Sequence, residues 1–246
     1  LFYMSLKNLD PRERKEAVLG LVAHAPLETP PGSSTRYSDL GFMLLCRLVE
    51  RTAGCALDRC LAEQVYGPMG IDDLFFMRLP TNSSSRHAFA ATELCPLRCR
   101  LLAGEVHDDN AWYAGGVDGH AGLFGTARAV FHLLRRLAAE HGGCEKTPVF
   151  SKEILDLIFK NNPEDHFSLG FDRPAAENSS AGRYFSKNSV GHLGFTGVSF
   201  WMDPTTDLTV VLLTNRVHPF RWHNRLVDFR PEIHDRIVEH FGIQAD

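Results

Sequence analysis

Gly191-His192-Leu193-Gly194-Phe195-Thr196-Gly197 sets an imidazole among glycines directly before an apolar run, Val198 to Met202. Glycines there let a backbone pass close to a bound molecule, because no side chain intervenes. A His beside N–H groups on such a strand edge fits an anion or carbonyl site. A glycine-rich strand entry with a surface His fits the same residues. The polar turn Asp203 to Asp207 leads into Leu208 to Thr214, and two β-rich runs joined this way predict antiparallel strands. A second stretch, Tyr37-Ser38-Asp39, closes a Pro/Gly/Ser loop and opens the helical run Leu40 to Ala53. Ser38 or Asp39 suits the N-cap, accepting from an unpaired amide of the first turn, and alone the tripeptide reads first as a cap.

Together the two stretches resemble the second and third motifs of the serine β-lactamase and penicillin-binding-protein superfamily, in its class C-like branch. Tyr37-Ser38-Asp39 looks like a variant of that family's Tyr-x-Asn, and His192-Leu193-Gly194 looks like its Lys-Thr-Gly or His-x-Gly strand. Val65 to Ile71 is similar to the Pro-Leu-Gly-Met element. Gly104 to Asn110 and Gly115 to Phe124 are similar to wall segments of one branch, and Leu212 to Pro219 to its strand exit. The resemblance runs from about Pro30 to the C-terminus. Each tripeptide is weak; the combination is specific.

The resemblance implies roles. Tyr37 would be the base or proton relay, its ordinary pKa of about 10 matched to the task by adjacent positive charge. Asp39 would hold a partner Lys as an ion pair but cannot donate as Asn does. His192 would donate to substrate or to Tyr37, with a charge that fades above about pH 6.5. The Phe195 N–H matches the strand-borne half of an oxyanion hole, and Leu193 and Gly194 line the same edge. Leu193 in place of Thr, with His192 in place of Lys, points away from a substrate with a permanent carboxylate such as a β-lactam.

His107, Asp108, Asp109, Asn110 and His120 are read three ways: pocket lining with Gly116 in the glycine-rich segment, turn chemistry, or a metal cluster. Pocket lining is preferred, because the glycine-rich segment 115–122 brings backbone close to a ligand, and no framework such as H-x-x-x-H supports the metal. No cofactor or metal is expected.

The family's nucleophile lies in a Ser-x-x-Lys, where one helical turn puts the amine beside the hydroxyl. None of the six lysines, Lys7, Lys15, Lys146, Lys152, Lys160 and Lys187, has a Ser three residues before it. With a first residue of Leu1, the reading is an N-terminally truncated piece of a longer hydrolase.

With 246 residues and 44% apolar side chains, the chain can bury a substantial core. A net charge of −4 offers no field for a polyanion, so nucleic acid is not an expected partner. The arginines Arg98, Arg100, Arg135 and Arg136 are read as solvated surface. No apolar run reaches the length of a membrane span. Bacterial cell envelope and cytoplasm both remain open, as does oligomeric state. The six cysteines lack C-x-x-C spacing and are expected as free thiols, Cys46 in the core.

Helices are expected over Asp10–Ala25, Leu40–Ala53, Leu57–Tyr66, Thr126–His141, Ser151–Asn161 and about 230–241. Between Ile71 and Asn110 the pattern is irregular, with a loop at Asn82 to Ser85. β-like runs are expected near 167–172, 183–193, 197–203 and 207–214. Helices first and hairpins later predict an α+β fold. The resemblance makes it β-lactamase/transpeptidase-like: a helical part over about 1–165, antiparallel strands and a closing helix over about 166–246, and a site in the cleft between them. It also implies an acyl-transfer hydrolase acting on an amide or ester, with a muropeptide or other small molecule as substrate. Cell-wall fragments rank first, small esters second and β-lactams third. The rival is a non-catalytic protein that binds a peptidoglycan-derived ligand.

Overall fold

Apolar residues at helical spacing dictate the helix Asp39–Ala53, which buries Met43, Cys46 and Glu50 and ends at Gly54. The computed structural model describes residues 6, 9–80, 88–145, 148–159 and 167–243. The loop expected at Asn82 to Ser85 and the end of the 151–161 helix beyond Phe159 lie outside them. The fold is α+β, with helices and antiparallel strands. Two compact units are formed: Leu1–Pro68, Asp72–Ala91 and Pro96–Gly125 make the first, and Met69–Ile71, Thr92–Cys95 and Thr126–Asp246 the second.

In the first unit, Met43 packs with Leu6, Val18, Val22 and Tyr113, joining the helices Pro11–Ala23, Asp39–Ala53 and Asp109–Tyr113. One turn further along the Asp39–Ala53 helix, Cys46 packs with Leu57 and Val117. Glu50 accepts from Lys15 Nζ at 2.6 Å and from the Leu57 N–H at 3.0 Å, tying three segments to one buried carboxylate. The expected helix Leu57–Tyr66 is α-helical only to Leu61. Ala62–Tyr66 widens into a π-turn, closed by the Gly67 N–H on the Ala62 carbonyl at 2.9 Å. Leu74–Phe76, inside the stretch that reads as irregular, pairs antiparallel with Leu123–Gly125 beyond it.

The second unit is built on a five-stranded antiparallel sheet in sequence order: Phe167–Ser168, Phe171–Asp172, Val190–Leu193, Val198–Asp203 and Leu208–Leu213. Trp201, Phe185, Ala181 and Val210 form its core. The helix Ala127–His141 packs on the last strand, its Thr126 cap accepting from the Ala129 N–H at 3.1 Å. The expected strand 183–193 is shorter, Val190–Leu193. The buried Asp203 carboxylate takes the Ser186 N–H at 2.8 Å and Ser186 Oγ at 2.7 Å, which diverts that backbone from the ladder. The closing helix is longer than expected, Leu226–Phe241, with Pro231 inside it.

Gly191 faces Trp201 across the sheet, and a Cβ there would sit 2.4 Å from both the Phe200 carbonyl oxygen and the Trp201 ring. Gly191→Ala should therefore destabilise the unit by roughly 1–3 kcal/mol, because the obstruction is backbone and a packed indole. A urea midpoint unchanged from wild type would show that the strand yields freely.

Candidate active site

His192 lies on Val190–Leu193, opposite Phe200, and its Nδ1 is 2.9 Å from the Leu193 carbonyl oxygen. The strand ends in a four-residue turn closed by the Gly197 N–H on the Gly194 carbonyl at 3.0 Å, with Gly197 at φ +120°. A side chain at 197 would collide with the Arg216 amide, so glycine is needed for both conformation and space. Leu193, Gly194 and Phe195 thus share one strand end, and Phe195 is 58% exposed.

Two arginines to which the sequence assigns no role hold this turn: Arg216, within the Leu212 to Pro219 strand exit, and Arg230. Arg216 Nε donates to the Phe195 carbonyl at 2.7 Å, and its guanidinium carbon stands 4.3 Å from the centre of the Phe195 ring. Arg230, buried on the closing helix, donates to the carbonyls of Gly194 at 3.3 Å and Val198 at 2.9 Å. No local pattern marks their partners: Arg230 sits in the first turns of a helix, where an arginine reads as surface, and Arg216 follows the strand Leu208–Leu213. Asp172, opposite Gly191, was also missed. Burial raises its carboxyl above the ordinary value, and the nearby His192 works against that rise.

Tyr37 is 56% exposed, directly ahead of the Asp39–Ala53 helix. Ser38 holds the N-cap position in extended backbone but makes no side-chain cap bond, and Asp39 is the first helical residue. The capping hydrogen bond read from the sequence is thus not made by Ser38. Its oxygen leaves the first-turn amides to other acceptors.

The wall residues are organised around ion pairs of His120 and Arg98 in the first unit. Asp108 caps the helix Asp109–Tyr113 through the Ala111 N–H at 2.8 Å and binds His120 Nε2 at 2.9 Å. His120 Nδ1 lies 3.7 Å from Asp118, close enough for charge attraction but beyond a hydrogen bond. Burial opposes a charge on His120. The two carboxylates outweigh it, and its pKa is pushed up to about 9. Asp109, His107 and Gly116 are close-packed: Asp109 accepts from Arg98 at 2.8 Å, His107 is buried, and Gly116 abuts the Met77 carbonyl. Asn110 lies in the first turn of the Asp109–Tyr113 helix. His120 also borders an apolar groove of about 340 Å³ with Phe42, Leu45, Val49 and Leu123.

Arg98 corrects the surface reading of the arginines. Its side chain is 2% exposed, stacks on Trp112 at 4.8 Å and donates to the Val106 and His107 carbonyls at 2.7 and 2.9 Å. Arg98 is therefore a buried clasp for the Glu105–Asp109 segment. Arg100, half-exposed, pairs with Glu105 at 2.9 Å. All six cysteines are free thiols, and burial pushes the Cys46 thiol up to about 12.

The family model described as Beta-lactamase matches residues 2–228. The chain belongs to the Beta-lactamase family. It is 33% identical over 219 residues to a putative D-alanyl-D-alanine carboxypeptidase of Escherichia coli K12, covering 83% of this chain and 50% of that protein. A Salmonella typhi relative of the same description is 32% identical over 221 residues, covering 84% of this chain and 51% of the relative. The chain spans about half the length of these curated relatives. Among solved structures, a β-lactamase from Mycobacterium bovis superposes with a TM-score of 0.61 at 20% identity, over 94% of this chain and 74% of the other. A penicillin binding protein from Bacillus halodurans gives 0.63 at 19% identity, over 91% and 63%. These likenesses establish the β-lactamase/transpeptidase-like fold. In this Beta-lactamase family chain the Tyr-x-Asn-like stretch belongs to the first unit and the His-x-Gly stretch to the second, and no Ser-x-x-Lys occurs among the 246 residues.

Proposed function

We propose that this chain forms the Tyr-Ser-Asp and His-Leu-Gly parts of a serine hydrolase. It would cleave an amide or ester by acyl transfer in a cell-wall muropeptide, with the Ser-x-x-Lys supplied from outside residues 1–246. The observation that carries this reading is the His192 strand ending in a turn whose Gly194 and Phe195 carbonyls are both held by arginines. Such a turn presents backbone amides to a developing oxyanion without reorganising. Relatives described as putative D-alanyl-D-alanine carboxypeptidases support a cell-wall substrate, and within that class His192 and Leu193 favour a bond that is not beside a free carboxylate.

In the reaction, Tyr37 takes the proton of the attacking serine hydroxyl, and the new carbonyl–oxygen bond forms as negative charge gathers on the oxygen facing the Phe195 N–H. The tetrahedral species collapses to an acyl-serine ester, and the leaving amine or alcohol receives the proton from Tyr37. Water repeats the sequence to release the acid. Asp39 anchors the Lys ammonium, and His192 donates to a substrate acceptor. Leu193 offers strand backbone to the substrate, and Gly194, whose own N–H and carbonyl are bonded within the turn, leaves room beside it. His107, Asp109, Asn110, Gly116 and His120 shape the wall, with the Asp109 and His120 side chains engaged by Arg98 and Asp108.

A fluorophosphonate probe tests this reading. The native gene product should be labelled on one serine outside residues 1–246, and the 246-residue chain by itself should remain unlabelled. Labelling of a serine within residues 1–246 would overturn the assignment. A native product that binds muropeptide yet takes no label would instead establish the non-catalytic ligand-binding rival.

Substrate preference is tested at the strand. His192→Lys with Leu193→Thr adds a lasting charge and a hydroxyl, each good for roughly 1.5–3 kcal/mol toward a fixed carboxylate. Acylation of the native product by a chromogenic β-lactam should rise at least about tenfold in the double variant, with the native activity reduced. A wild-type rate already equal to the variant's would reverse the substrate ranking.

A further inference from the structure

The turn after His192 is held through the oxygens of its peptides, and that fixes where its N–H groups point. The Gly194 carbonyl accepts from two donors, the Gly197 N–H at 3.0 Å and Arg230 at 3.3 Å. Arg230 also bonds the Val198 carbonyl at 2.9 Å, and that carbonyl takes the Gly194 N–H at 2.8 Å. One guanidinium nitrogen therefore bridges both sides of the turn's neck. In a planar trans peptide the C=O and the following N–H point in opposite directions. Anchoring the Gly194 oxygen toward Arg230 aims the Phe195 N–H away from it. A cation on the carbonyl end also polarises the peptide and strengthens its N–H as a donor.

The next peptides are held in the same manner. Arg216 Nε donates to the Phe195 carbonyl at 2.7 Å, and the Arg216 backbone N–H donates to the Thr196 carbonyl at 2.8 Å. Keeping Arg230 here is costly. Burial and the like charge of Arg216 both press its guanidinium below the ordinary value, and its Nε has no hydrogen-bond partner among the described residues. Its recorded hydrogen bonds are to backbone carbonyls of the turn, so the turn is what the buried cation serves.

We propose that Arg230 is the positioning residue of the oxyanion donor, aiming and polarising the Phe195 N–H through the Gly194 carbonyl. This rests on the reading of Phe195 under the proposed function. The first arm of the test does not depend on catalysis: amide spectra of the ¹⁵N-labelled 246-residue chain as wild type, Arg230→Met, Arg230→Gln and Arg230→Lys. Arg236→Gln, an exposed position on the same helix, is the control. The Phe195 amide proton should move upfield most in Arg230→Met, less in Arg230→Gln, least in Arg230→Lys, and not in the control. If Arg230→Met does not fold, the Gln and Lys variants decide. A Phe195 resonance unmoved in every folded Arg230 variant would overturn the proposal.

The second arm measures acylation of the native gene product by a chromogenic ester. Arg230→Met should lower kcat by roughly 10–100-fold with KM nearly constant, and Arg230→Lys should restore most of the loss. A purely structural role would lower thermal stability without that split or that rescue, and would also overturn the proposal. If the wild-type product is not acylated at all, the hydrolase reading fails, and the amide spectra alone decide the role of Arg230.

Discussion

Tyr37→Phe in the native gene product should lower kcat by roughly 10²–10⁴-fold while KM changes little, since a proton relay acts mainly in the transition state. The substitution removes one hydroxyl from a side chain that is 56% exposed in a loop ahead of the Asp39–Ala53 helix. A melting temperature equal to wild type's rules out unfolding as the cause of a lower rate, which then reports chemistry. Steady-state kinetics with an ester and with a peptide ending in D-alanyl-D-alanine would check it. An unchanged kcat with raised KM would make Tyr37 a binding residue and remove it from the proton path.

His120→Ala should cost about 3–5 kcal/mol of folding stability, because it strips the cation from a buried cluster and leaves Asp118, 4% exposed in its side chain, without it. The pH dependence has a defined sign. The folded pKa of His120, about 9, lies above its ordinary value of 6.5. Its contribution is complete below pH 6.5 and is lost as pH rises through about 9, amounting to about 3 kcal/mol at most. Asp108 behaves oppositely. Burial raises its pKa, but the bonds from His120 and the Ala111 N–H prevail and hold it below the ordinary 3.8. Its contribution is present above pH 3.8 and fades as pH falls through the lower folded value. Urea unfolding from pH 6 to 10 should show wild type losing stability over that range and the variant nearly flat. A variant that keeps the wild-type slope would assign the alkaline loss to another group.

Much of the fold was legible along the chain. The stripe of Ala129, Leu134 and Leu137 and the run Met43 to Cys46 give helices because their periodicity is carried by neighbouring residues. The hairpin Val198–Asp203 to Leu208–Leu213 is equally local, with its Asp/Pro turn written between two apolar runs. Family membership came from two tripeptides and their flanking stretches, which the family match over residues 2–228 supports. Strand lengths and partners were less legible. Leu74–Phe76 finds its mate at Leu123–Gly125, and residues 183–189 leave the ladder because Ser186 answers to Asp203.

The sequence by itself determined which residue types stand at the candidate chemistry, Tyr37, Asp39, His192 and the amide of Phe195, and that these belong to a β-lactamase-related α+β chain. Only the tertiary structure decided what holds parts of it. Arg230 reaches Gly194 across 36 residues, Arg216 reaches Phe195 across 21, and Arg98 is buried on Asp109. Helices and hairpins arise from short-range periodicity that any window of the chain displays. A buried cation's partner is set by which distant backbone the folded core brings beside it, and no spacing along the chain encodes that meeting.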